Sequence, residues 1–167
     1  KTAFALNVAL NVAMENVPVA IFSLEMGAEQ LNMRLLCSYA EASSFLVRRG
    51  KIGEKKLAEL REKATELQNV PIYIDDTPGL SLMQVRARAR RLASQQQNLG
   101  LIIVDYLQLM SGPDRPGRDH NRQQEVAEIS RGLKALAREL DVPVIALSQL
   151  SRQIEQRSGK DKNARPM

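Results

Sequence analysis

The chain has 167 residues, 44% of them hydrophobic, and its 24 Lys and Arg against 19 Asp and Glu leave a formal charge of +5. That length suits one α/β domain with a full core rather than two, and no apolar run nears the roughly 20 residues needed to cross a bilayer. A single cysteine, Cys37, and a single histidine, His120, rule out an intramolecular disulfide or a paired-cysteine metal ribbon and argue against zinc and Ser-His-Asp chemistry.

In chain order, Lys1-Thr2-Ala3 opens a helix that carries Phe4, Val8 and Val12. Residues 18–24 follow as a nearly continuous apolar run, the pattern of a strand covered on both faces of a parallel sheet, and lead into Glu25. Arg34 lies nine residues further on, on the next predicted helix. Leu57, Leu60, Ala64 and Leu67 form a helical stripe before a second strand at residues 70–75. Asp75 and Asp76 close that strand in a stretch rich in turn residues; they are turn formers or, less directly, a magnesium-side pair.

Ser81 with Gln84 predicts a capping box opening a helix whose stripe is Leu82, Val85, Ala89 and Leu92. The same helix bears Arg86, Arg88, Arg90 and Arg91; Arg86 and Arg90 share a face, Arg88 points elsewhere, and a solvated or subunit-facing surface is expected for them. A third strand at residues 101–106 carries Asp105. Residues 111–120, with two glycines and two prolines, read as a loop. Val126, Ile129, Leu133, Leu136 and Leu140 make the last helical stripe, and a fourth strand at residues 143–148 runs into Ser148 and Gln149. Alternating strands and helices predict an α/β fold with a mainly parallel sheet flanked by helices. Residues 156–167 are polar and basic, and both ends read as cuts through a larger domain.

Ligands of such sheets bind beyond the carboxyl ends of the strands, where Glu25, Asp105 and Gln149 are expected. Any one of them could simply mark where a buried strand surfaces. Lys1-Thr2 at a helix start matches the tail of the phosphate-binding pattern G-x-x-x-x-G-K-[ST], two residues of that pattern's eight. In that setting helix N–H groups attract phosphate, the lysine reaches the β- and γ-phosphates, and the threonine hydroxyl ligates Mg2+. Asp105 would hold the ion through water, Glu25 would orient and deprotonate the attacking water, and Gln149 would sense the γ-phosphate. Arg115, Arg118 and Arg122, in and after the loop, are candidates for sequence-independent contact with nucleic-acid phosphates; the loop has no aromatic residue for base stacking.

The stretches KTAFALNVA, IFSLEM, LIIVDYLQLM, EISRGLKALARELDVPVIALSQLSRQIEQR and RPM resemble, in order, the motifs of the bacterial replicative DNA helicases of the DnaB family. The resemblance covers essentially the whole chain. It implies a RecA-like P-loop NTPase fold in which Lys1 and Thr2 end the Walker A motif and bind the nucleotide with Ala3, Glu25 is the catalytic glutamate and Asp105 the Walker B aspartate. It further implies that Gln149 is the γ-phosphate sensor and that Arg34 contacts the nucleotide. The expected activity is ATP hydrolysis with Mg2+, driving 5′ to 3′ movement on single-stranded DNA and duplex unwinding at the replication fork. A homohexamer, contacts to primase and a helicase loader, and a cytoplasmic place in the nucleoid-associated replisome are expected with it. Against the family pattern, residues 1–167 are a partial domain that lacks the start of the phosphate loop and the C-terminal strands with the arginine finger, so this piece alone is expected to be inactive.

Two other readings share the fold. A RecA-like recombinase or clock-type ATPase would organise a filament or ring without separating strands, and the SLEM and SQLSR blocks speak against it. A regulatory subunit would bind nucleotide without hydrolysing it, and the retention of Glu25, Asp105 and Gln149 speaks against that.

Overall fold

The computed structural model describes residues 1–110 and 122–149. Strands β1 (Val19–Ser23), β2 (Ile72–Asp75), β3 (Leu101–Asp105) and β4 (Val144–Ala146) form one parallel sheet in the order β2-β1-β3-β4. All four lie inside the apolar runs read from the sequence. The helices are α1 (Thr2–Met14), α2 (Ala28–Tyr39), α3 (Ser44–Arg48), α4 (Glu54–Leu67), α5 (Leu82–Gln95) and α6 (Arg122–Leu140), with a 3-10 turn at Leu107–Leu109.

Every residue of β1 and β3 is buried, and the pleat divides their side chains between two cores. Ala20, Phe22, Ile102 and Val104 point to a core completed by Val85 and Ala89 of α5 and Ile129, Leu133 and Leu136 of α6. Val19, Ile21, Leu101 and Ile103 point the other way, onto α1 and α2. The chain thus steps from β1 to β2 through helices on one face and returns to β3 and β4 through helices on the other, which keeps the crossovers of one hand.

Helix α1 does carry Phe4, Val8 and Val12, and its buried face is Ala5, Leu6, Ala9, Leu10 and Ala13. Phe4 is 70% exposed, and Val8 and Val12 lie at the flank. This helix is apolar nearly all round, so periodicity does not select a face; small alanines at every fourth position win the sheet side because they let the helix approach closely. The α4 stripe is also only partly used: Leu60 is buried while Leu57 is 37% exposed. Helix α3 has no buried residue and, at five residues, is too short for a periodic signal.

The capping box of α5 is present, with the Ser81 hydroxyl accepting from the Gln84 N–H at 3.3 Å and the Gln84 side chain accepting from the Ser81 N–H at 2.9 Å. Three of its arginines pair with carboxylates of the chain while staying partly exposed. Arg86 donates to Glu139 on α6 at 2.9 Å and Arg90 donates to the same carboxylate, while Arg88 donates to Asp75 at 2.5 Å. Arg86 and Arg90 do share a face, and Arg88 does point elsewhere.

Hydrogen bonds from Arg90 and then Arg86 pull Glu139 from its ordinary 4.5 to about 2. Because the folded value lies below the unfolded one, the contribution is complete above about pH 4.5 and drains away as the pH falls toward 2. The group faces solvent, so the effect is small and salt-sensitive. A Glu139→Gln variant should melt slightly earlier than the parent at neutral pH, and the gap should close by about pH 2; a gap that does not change with pH would refute the coupling.

Candidate functional site

Adjacent strands β1 and β3 send their following chain to opposite sides, β1 toward β2 and β3 toward β4. Their carboxyl ends therefore flank a topological switch point, where an open α/β sheet leaves a crevice. Glu25 and Asp105 stand at this crevice: Ser23 pairs with Asp105 in the parallel register, and the Leu24 N–H donates to the Asp105 carbonyl at 2.8 Å. Asp105 is only 6% exposed and ends a strand otherwise wholly apolar. The peptide joining it to Tyr106 is cis.

Helix α1 brings its N-terminus to the same edge. The Thr2 hydroxyl donates to Asp105 Oδ2 at 2.6 Å, across 103 positions of sequence. Lys1 is the N-cap residue, and its Nζ donates to the Ser148 carbonyl at 2.6 Å, next to Gln149. No side chain caps α1, so its first-turn N–H groups remain open to an anion. Lys1, Thr2 and Asp105 thus lie at one edge of the sheet, with Ala3 in the same turn, Gln149 next to the residue that receives Lys1, and Glu25 one strand over.

The SLEM turn that carries Glu25 has its own support. Buried Ser23 donates its hydroxyl to the Met26 carbonyl at 2.6 Å and accepts from the Met26 N–H at 3.3 Å, closing the turn and leaving Glu25 exposed at its tip. Asp76 then accepts the Ala28 N–H at 2.8 Å, tying the start of α2 to the end of β2. Asp75 is held by Arg88 and by both the N–H and hydroxyl of Thr77. Burial alone would push Asp75 up, but these hydrogen bonds outweigh it and keep the carboxyl below its ordinary value. Asp75 is therefore engaged as an ion-pair partner of Arg88.

Arg34 is half-buried on α2 and lines a cavity of about 350 Å³ beside the first turns of α1, together with Ala3, Asn7, Ser38, Ser44 and Arg48. The Ser38 hydroxyl donates to Asn7 Oδ1 at 2.6 Å on its wall. Arg115 and Arg118 lie outside the described residues, and Arg122 is placed only as the first residue of α6. The sequence reading missed Ser23 and also Gln108, whose side chain joins the ends of β3 and β4. A serine two residues before Glu25 is the one signal that pointed to such a turn.

A buried carboxylate, a hydroxyl and an open helix N-terminus are hard-oxygen and anion-binding groups, the set that suits phosphate with magnesium. Among the described residues no cluster of three or more His, Cys, Asp or Glu could hold a metal unaided. No helix among the described residues is long and apolar enough to cross a membrane.

Comparison with known proteins gives the same picture. Residues 1–167 match the family model of the DnaB-like helicase C terminal domain. The chain is 55% identical over its whole length to the replicative DNA helicase DnaB of Geobacillus stearothermophilus and 52% identical to that of a Nostoc species. It spans 36% of the first protein and 18% of the second. Among solved structures it superposes on one described as an ATPase domain with a TM-score of 0.85 at 36% identity, covering 100% of this chain and 57% of that one. A DnaB-like replicative helicase whose structure was described with its interactions with primase matches with a TM-score of 0.85 at 35% identity, over 99% of this chain and 38% of that one. With a RecA-like parallel sheet and this match across its full length, the chain belongs to the DnaB-like helicase C-terminal domain family.

Proposed function

We propose that this chain is the ATP-hydrolysing motor of a replicative DNA helicase, moving 5′ to 3′ on single-stranded DNA and separating duplex at the fork. The observation that carries the proposal is the Thr2–Asp105 hydrogen bond at the open N-terminus of α1, with Glu25 across the switch point. Only a ligand that brings both negative oxygens and a divalent cation uses all of these groups at once.

In this mechanism the first-turn N–H groups of α1 and the Lys1 ammonium bind the β- and γ-phosphates. Lys1 exchanges its Ser148 carbonyl for phosphate oxygens. Thr2, and Asp105 through water, would hold Mg2+, which would supply charge neutralisation on the phosphates. Glu25, at the exposed tip of a turn locked by Ser23, orients the attacking water and takes its proton. Gln149 follows the presence of the γ-phosphate from the end of β4. The cavity lined by Arg34, Asn7, Ser38 and Arg48 adjoins Ala3 and takes the nucleoside end, which gives Arg34 its nucleotide contact. Arg115, Arg118 and Arg122 contact DNA phosphates, and six copies form a ring that engages primase and a loader in the replisome.

The test is single-strand-stimulated ATP hydrolysis together with unwinding of forks of both polarities, using the protein that carries this chain. Stimulated hydrolysis with unwinding of the 5′-tailed fork is expected. Hydrolysis without strand separation would instead favour the recombinase or ring-ATPase reading, and nucleotide binding without hydrolysis the regulatory one.

A further inference from the structure

The parallel pairing of β3 with β4 ends early. Its last rung is Val104 with Ala146, followed by backbone bonds from Leu147 N–H to the Val104 carbonyl and from Leu107 N–H to the Leu147 carbonyl, both 2.9 Å. The β3 chain then curls into the 3-10 turn at Leu107–Leu109 and no longer runs beside residues 148 and 149. The side chain of Gln108 occupies the place its main chain has left. Its Nε2 donates to the Ser148 hydroxyl at 2.7 Å and to the Gln149 carbonyl at 3.0 Å, and its Oε1 accepts the Gln149 N–H at 3.2 Å.

A carboxamide carries one donor group and one acceptor with the geometry of a peptide unit, so it can extend a ladder by one rung. We infer that Gln108 is a positioning residue for the hydrolytic reaction: its carboxamide clasps the backbone of Gln149 from both sides and fixes that side chain relative to Asp105. The inference rests on the nucleotide reading above. The clasp reaches the phosphate end as well, because the Ser148 whose hydroxyl it binds is the residue whose carbonyl receives Lys1. Asp105 and Gln108 lie three residues apart on one short turn, so a shift at either strand end is passed to the other. Nothing in Gln108 itself needs to touch the nucleotide.

Two variants separate positioning from binding and from folding. Gln108→Leu keeps the side chain's approximate size and removes the clasp's hydrogen bonds. Gln108→Glu keeps an acceptor for the Gln149 N–H and for the Ser148 hydroxyl but cannot donate to the Gln149 carbonyl. Since a misplacement of about 1 Å can cost a hundredfold, kcat of stimulated ATP hydrolysis should fall roughly 10- to 100-fold in Gln108→Leu, with an intermediate fall in Gln108→Glu. KM for ATP and the melting midpoint should stay near the parent values. Hydrogen exchange at the Gln149 amide should quicken in Gln108→Leu and less in Gln108→Glu, a readout independent of activity. Parental kcat in both variants would overturn the inference, as would a raised KM with unchanged kcat, which marks a binding role. If Gln108→Leu does not fold, Gln108→Glu alone decides by the same criteria. A parent that does not hydrolyse ATP at all overturns the nucleotide reading instead and removes the catalytic role of the clasp, while the exchange contrast still reports whether the clasp exists.

Discussion

Glu25→Gln should leave nucleotide binding close to the parent and lower turnover by roughly 10²–10⁴-fold, the usual contribution of a positioned general base. The expectation comes from where the side chain stands. Glu25 is exposed at the tip of a turn whose ends are fixed by the buried Ser23 hydroxyl and by the bond from Leu24 N–H to the Asp105 carbonyl. It makes no ion pair among the described residues that a glutamine would break. The amide therefore keeps shape, turn and crevice, and loses only the capacity to take a proton. Equilibrium binding of ATP and single-turnover hydrolysis, measured on the same preparation, separate the two effects. An equal loss of binding and turnover would show that Glu25 holds ligand and would sink its role as the base.

How much of this was legible beforehand depended on how local each determinant is. The strands were readable because burial on both faces demands unbroken apolar runs, and β1 and β3 are buried at every residue. The α5 cap was readable because both partners lie within four residues, Ser81 and Gln84. Thr2, Asp105, Glu25 and Gln149 were readable as ends of elements, and the fold does bring them to one edge.

The failures have long-range causes. The ion-pair partners of Arg86 and Arg88 were not legible because those carboxylates, Glu139 and Asp75, lie 53 and 13 positions away. The buried face of α1 was not legible because an almost wholly apolar helix has no polar side to orient it. Gln108 left no trace, since its meaning arises only where β3 curls away from β4.

Substitution of Asp105 should have opposite consequences for function and for stability. Asp105 is 6% exposed, and its carboxylate accepts from the neutral hydroxyl of Thr2. Among the described residues no lysine or arginine forms an ion pair with it. A buried carboxylate without a cation is costly in the ligand-free protein and is well placed to receive one. Asp105→Asn keeps the volume and an oxygen that can accept from Thr2, while removing the charge. Turnover should fall on the order of 10³-fold, the equivalent of several kcal/mol of lost charge stabilisation.

Nucleotide affinity in that variant should also lose most of its dependence on magnesium concentration. The melting midpoint without nucleotide or magnesium should stay level or rise, because the desolvated charge is gone. Thr2→Val should reproduce the functional loss in part and Thr2→Ser should restore it, since the hydroxyl and not the methyl reaches Asp105. A clear fall in ligand-free stability for Asp105→Asn, with magnesium dependence intact, would mean that the carboxylate serves the fold. The cation would then have to be held elsewhere.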